Sequence, residues 1–133
     1  MDHSEGEALV HALLHAIGTR DRTALTELLD EDVRWSWPAS VSIRWGWPRP
    51  VVGRAQTLER LAPEVSAFQD GSTTWEVLQV LLDGDRVAFA AERRATRADG
   101  RPYNVEYLFL LRVVDGRIVE ALDTLDTALA LPD

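Results

Sequence analysis

Apolar and polar positions alternate with two different periods along this chain, and the change of period divides it. Leu9, Leu13, Ala16 and Ile17, with Val10 and Leu14 beside them, recur at three- and four-residue spacing, which marks the buried face of a helix. Ser4-x-x-Glu7 just ahead has the form of a capping box, so a first helix is predicted to run to about Gly18. Asp21 is a good N-cap for a second, short helix carrying Ala24, Leu25, Leu28 and Leu29, which ends in the acidic run Asp30, Glu31, Asp32. Between Val33 and Val52, Pro38, Pro48 and Pro50 interrupt alternating Trp residues, a pattern that suits short edge strands and a loop. Gly53 leads into a third helix, Arg54 to about Phe68, with Leu58, Leu61, Val65 and Phe68 on one side and Pro63 expected to break or kink it.

After Gly71 the period drops to two. Four strands are predicted, Thr73 to Leu82, Arg86 to Arg97, Pro102 to Val114 and Arg117 to Asp126, divided at Asp83-Gly84, Asp99-Gly100 and Asp115-Gly116. Asp-Gly between β-rich runs is a strong hairpin signal, so the strands form an antiparallel meander. Three helices ahead of a meander predict an α+β fold, with the helices packed on one face of a curved sheet. The first of these strands is apolar on both sides, with Trp75, Val77 and Leu81 on one and Leu78, Val80 and Leu82 on the other.

Splitting the strands by parity isolates two residues. The odd positions of the last strand read Val119, Ala121, Asp123, Leu125, and those of the second read Val87, Phe89, Ala91, Arg93, Ala95. One acid and one arginine thus interrupt apolar rows. Turn length decides whether they share a face. Two-residue turns would put Glu106 or Leu108 between them, whereas three-residue turns bring in Tyr103, Val105, Tyr107, Phe109 and Leu111. The second register joins the apolar rows of three strands, sets Tyr107 near both groups, and leaves roughly 9.6 Å between their strands. Two readings stay open: a partly buried ion pair without chemical duty, or an unpaired Asp whose pKa desolvation lifts from about 3.9 toward neutrality, as a general base requires.

Composition trims the possibilities. A chain of 133 residues, 46% hydrophobic and 27% charged, is expected to form one domain over 1–133, and no apolar run approaches the roughly 20 residues that span a bilayer. Fourteen Lys and Arg against 22 Asp and Glu leave a charge of -8, the wrong sign for binding nucleic acid or an anionic membrane. The absence of cysteine removes disulfides, thiol nucleophiles and thiolate metal sites. His11 and His15 are four apart but lack the HExxH glutamate and a third ligand, so no metal and no cofactor is expected. Ser36, Ser40 and Ser42 have neither a His partner nor an elbow motif. The acidic start, Met1 to Glu7, lacks the features of a signal peptide, which points to the cytoplasm. Four of the five Trp fall between Trp35 and Trp47, either as plain core or as walls of an aromatic pocket.

Val51-Val52-Gly53-Arg54 before the third helix, Asp115-Gly116-Arg117-Ile118-Val119-Glu120 opening the last strand, and Asp126-Thr127-Ala128-Leu129-Ala130 closing it stand in a telling order. Over nearly its whole length the chain resembles the SnoaL-like branch of the nuclear transport factor 2-like superfamily, which includes ketosteroid isomerases, limonene epoxide hydrolases and polyketide cyclases. The resemblance implies a cone-shaped α+β barrel holding a deep pocket for a small, largely apolar ligand. Asp123 falls where the epoxide hydrolases and polyketide cyclases carry a pocket Asp. Arg93 falls on the Arg of the hydrolases' Asp-Arg-Asp set, whose other Asp is replaced by Ala95. The ketosteroid isomerase base, oxyanion-hole Tyr and oxyanion-hole acid fall on Trp37, Leu13 and near Phe109, so none of those groups is retained. Tyr103-Asn104-Val105-Glu106-Tyr107 is similar to a segment of ketosteroid isomerase-related members.

The resemblance further implies a cofactor-independent enzyme for cyclisation, isomerisation, or water addition and elimination on a small hydrophobic, polyketide- or terpenoid-like substrate. Asp123 would be the general acid or base, Arg93 would orient it or stabilise an oxyanion, and Tyr107 would donate a hydrogen bond. Leu13, Ile17, Trp35, Trp37, Trp45, Leu61, Val65, Phe89, Tyr103, Val105, Phe109, Ala121 and Leu125 would line the pocket. The outer face of the sheet would meet a second copy in a homodimer. The competing expectation is a binding module of the same fold without chemistry.

Overall fold

A computed structural model describes residues 1–131. The first helix, α1 (His3–Thr19), starts earlier than the Ser4 signal suggests. Asp2 caps it, its Oδ1 accepting the Glu5 N–H at 2.8 Å, so Ser4 lies inside the first turn and the Ser4–Glu7 box does not form. Glu7 instead meets His3 across one turn at 3.0 Å. Asp21 caps α2 (Arg22–Leu28) through the Ala24 N–H as expected. Leu29 leaves that helix and opens β1 (Leu29–Ser36), where it is buried with Val33 and Trp35 while Glu31 and Asp32 face water.

The Trp-rich stretch holds a helix that its prolines conceal. After Pro38, α3 (Ala39–Trp45) buries Val41 and Ser42, and the two-residue β2 (Val51–Val52) follows as the edge strand beside β1. The next helix, α4 (Arg54–Leu61), stops well short of Phe68, because Pro63 has no N–H to continue the ladder. Val65 is therefore off the helix and 85% exposed.

Strands β3 (Thr74–Asp83), β4 (Arg86–Thr96), β5 (Pro102–Val114) and β6 (Arg117–Leu125) make the meander, and a last turn, α5 (Thr127–Ala130), follows. The six strands run in the order β2-β1-β6-β5-β4-β3. β1 lies parallel to β6, so the sheet is mixed rather than wholly antiparallel. α1 crosses β3 closely at Gly6 and Gly18, where a Cβ would stand 2.7 Å from Leu82 and 3.2 Å from the Trp75 indole nitrogen. No helix among the described residues is long and apolar enough to cross a membrane.

Register is set by two bulges as much as by the turns. The β5–β6 connection is a two-residue turn, Asp115 (φ 52°) and Gly116 (φ 75°), with Val114 opposite Arg117. Continued unbroken, that pairing would set Asp123 opposite Leu108, on the outer side of the sheet. Arg112 pairs with Glu120 whereas Val113 pairs with Ile118, so Val119 is an extra residue that flips the parity beyond it. Asp123 thus lies opposite Phe109, facing inward. The odd rows of β4, β5 and β6 do meet, but by a bulge rather than by two three-residue turns. In β3 the same device works at Leu78, with Val77 opposite Ala91 and Gln79 opposite Ala90. Val80 and Leu82 are thereby turned to the side of Trp75 and Val77, while Leu78 and Leu81 stay exposed.

Candidate active site

Asp123, Tyr107 and Arg93 lie on one diagonal of the concave surface. Asp123 on β6 is opposite Phe109 of β5, and Tyr107 is two residues along. Tyr107 is opposite Ala91 of β4, Arg93 is two residues further, and Arg93 in turn is opposite Trp75 of β3. Each step moves one strand across and two residues along, roughly 7–8 Å in such a sheet.

Asp123 is only 3% exposed. Its Oδ2 accepts a hydrogen bond from the Trp35 indole N–H at 3.2 Å, and its Oδ1 has no partner. Burial lifts its pKa to about 7, against the smaller opposing pulls of the Trp35 bond, the Arg93 charge and the Trp37 side chain. Trp35 is held for this contact by β1, which runs beside β6, and by an edge-on packing against Phe109 at 6.5 Å between centroids.

Arg93, 9% exposed, does not pair with Asp123. Its Nε and Nη2 both donate to Thr73 Oγ1, at 3.3 and 3.1 Å, and its guanidinium lies over the rings of Phe68 (4.2 Å) and Trp75 (5.2 Å). Among the described residues no carboxylate comes within 4.0 Å of it. The Tyr107 and Tyr103 hydroxyls share a short hydrogen bond. Burial raises both phenol pKa values, so each stays a donor at neutral pH.

These groups border a cavity of about 290 Å³. Of the expected wall, Ile17, Trp37, Trp45, Leu61, Tyr103, Phe109 and Leu125 line it. Trp35 does not: it stands behind Asp123 as its hydrogen-bond donor. Phe89 supports the wall from behind, stacked on Phe109 at 4.6 Å, and Leu13, Val105 and Ala121 are buried in the core away from the cavity. Val65 lies at the border of an adjoining outer chamber of about 390 Å³. Sequence reasoning missed Val41, Trp47, Arg60, Phe68, Trp75 and Arg97, which also line the inner cavity. Trp47 was signalled by the Trp cluster. Trp75 and Phe68 become visible only once the bulged β3 and the broken helix put them around Arg93. His11 and His15 are exposed on α1, and no group of three or more His, Asp or Glu among the described residues is placed to hold a metal ion.

A curved mixed sheet capped by helices around an apolar cavity is the α+β architecture of NTF2-like proteins. Within it, residues 10–121 match the SnoaL-like domain, and the chain belongs to that family. Among solved structures it is similar to IdmH, a proposed polyketide cyclase from Streptomyces antibioticus, at 26% identity over 93% of this chain and 94% of that one, with a TM-score of 0.78. A proposed isomerase from Bacillus subtilis shares 19% identity over 97% and 92% of the two chains, with a TM-score of 0.77. An NTF2-like protein of unknown function from Burkholderia pseudomallei shares 22% over 96% and 94%, with a TM-score of 0.71. The last two likenesses bear on fold alone. No curated protein matches the chain.

Proposed function

We propose that this chain is a cofactor-independent acid–base enzyme of cyclase, isomerase or hydratase/hydrolase type, acting on a small hydrophobic, polyketide- or terpenoid-like carbonyl compound. The observation that carries this reading is the Asp123 Oδ1, buried without a partner at an apolar cavity, on a carboxyl that titrates near neutrality. As carboxylate, Asp123 takes a proton from the carbon next to a carbonyl, and the C–H electron pair moves into an enolate. Tyr107 donates a hydrogen bond to the enolate oxygen while Tyr103 supports Tyr107, and the Arg93 charge stabilises the anion through a water-poor wall. Where a C=C is conjugated with that enolate, the protonated Asp123 returns its proton to the γ-carbon of the dienolate, the carbonyl re-forms and the double bond moves, giving an isomer. Alternatively the enolate carbon attacks a second carbonyl and the proton goes to the resulting alkoxide, closing a ring.

A direct test follows α-proton exchange of 2-tetralone in D2O by NMR, since it needs only the base and the oxyanion site. Wild type should accelerate exchange, and Asp123→Asn should lower the rate by orders of magnitude while still quenching Trp fluorescence on binding. Wild type that binds without accelerating exchange supports the binding-module reading instead.

The convex face supports a homodimer in the same proposal. Leu81, Ala88, Leu110 and Leu122 stand in register across β3, β4, β5 and β6, and the three leucines are exposed. Leu108, also exposed, extends the apolar patch on β5.

A further inference from the structure

Three arginines line the inner cavity without a carboxylate within 4.0 Å among the described residues: Arg97, which donates to the Leu129 and Ala130 carbonyls at 3.0 and 3.1 Å, and Arg93 and Arg60, which face the space between two chambers. Arg93 and Arg60 line both the inner cavity and the outer chamber, joining the two. Arg60, on α4, spends its Nη1 on the Gln56 carbonyl and side-chain oxygens at 2.8 and 3.2 Å and lies over the Trp47 ring at 5.4 Å, while its buried Nε has no partner. Arg93 has one hydroxyl, Thr73 Oγ1, for two of its donors and two aromatic faces for its charge. Neither has a carboxylate within 4.0 Å among the described residues. This occurs in a chain with 22 acids and a net charge of -8. Arg20, which borders the same outer chamber, is by contrast closed off by Asp70 at 2.7 Å.

An unanswered guanidinium in a cavity wall carries a desolvation cost that an anion would offset on binding. The planar fork of donors favours a carboxylate, and the rings of Trp37, Trp47 and Phe109 around the space favour a flat apolar body. We infer that the ligand of this cavity is an aromatic or polycyclic carboxylic acid bound as its anion, its body in the inner cavity and its carboxylate on Arg93 and Arg60. The inference shares the cavity of the proposed function but does not depend on Asp123 chemistry. It adds direction: the acid group anchors one end of the molecule, and the carbon to be deprotonated lies toward the opposite end of the diagonal, at Asp123.

The test compares 2-naphthoate with 2-naphthamide, titrated against Trp fluorescence at about pH 6, where Asp123 is largely neutral and the naphthoate is ionised. Wild type should bind the acid roughly tenfold or more tightly than the amide. Arg93→Gln should abolish the preference, Arg93→Lys should keep part of it, and Arg60→Gln should reduce it several-fold, with thermal melts checking each fold. Equal affinities in wild type, or no binding of either probe below about 1 mM, overturn the inference, as does a full preference in folded Arg93→Gln. Should Arg93→Gln fail to fold, the wild-type pair and Arg60→Gln decide, an unchanged preference in Arg60→Gln counting against it. Asp123→Asn should leave the preference intact. Wild type that shows the acid preference but does not accelerate tetralone exchange removes the acid–base reading alone, and wild type that accelerates exchange but shows no acid preference removes this inference alone.

Discussion

Asp123→Asn keeps the shape of a buried carboxylic acid and removes its titration, so its effect on stability can be worked from the structure. Burial raises the folded-state pKa from 3.8 to about 7. Between those values the folded state holds a proton that the unfolded state has lost, so stability falls as pH rises. The contribution of the neutral acid is complete below the unfolded value, declines through about pH 4 to 7, and is spent above the folded value. Roughly three pH units at about 1.4 kcal/mol each come to about 4 kcal/mol. An Asn places its carbonyl on the Trp35 N–H and its amide where Oδ1 now lacks a partner, at a cost of about 1 kcal/mol or more. At pH 8 the variant should therefore be the more stable by about 2 to 3 kcal/mol, roughly 5–10 °C in Tm, while near pH 4 it should be the less stable by about 1 to 2 kcal/mol. Urea titrations of both proteins across this range isolate the effect, since every other titrating group is common to the two. A difference that stays flat from pH 4 to 8, or that grows in favour of wild type as pH rises, would refute the claim that this carboxyl is desolvated. The expected pairing of higher stability with lost activity is what a group held in an unfavourable place for its chemistry should show.

Trp35→Phe removes the donor that holds the Asp123 carboxylate, so the acidic limb of the tetralone-exchange pH profile, where the base is lost by protonation, should move to higher pH; an unmoved limb would show that the indole does not tune the acid. Leu110→Glu puts a charge in the middle of the convex apolar row and should convert a dimer to monomers with little change in the unfolding free energy per chain, read by sedimentation equilibrium; wild type that already sediments as a monomer would rule out this interface. Deleting Val119 closes the bulge and, with the Asp115-Gly116 turn retained, leaves Glu120 opposite Arg112 and Asp123 opposite Phe109, so the variant should keep a native circular dichroism spectrum and tetralone exchange; an unfolded or inactive deletion variant would mean that this pairing does not by itself place the acid.

What could be read from the sequence was whatever local chemistry dictates. Strands β3 to β6 fall within a residue of their expected bounds because period-two alternation is sustained over 9 to 13 residues and because Gly84, Asp115 and Gly116 take the left-handed backbone that Asp-Gly turns supply cheaply. Asp21 capped its helix and Pro63 ended another for equally local reasons. Asp123 and Arg93 were found because an isolated charge in an apolar row needs only parity to be seen. The seven-residue α3 was hidden, being too short to show a period among prolines. Register was hidden as well: an extra residue at Val119 or Leu78 looks like any other apolar position, yet it decides which side of the sheet everything beyond it faces. Only the folded chain brings the Trp35 N–H to an acid 88 residues away, parts Arg93 from Asp123, and leaves one oxygen of that acid without a partner. Turns and caps are settled by the energies of neighbouring residues. The state of a buried charge depends on which distant groups share its volume, and no stretch of sequence contains that information.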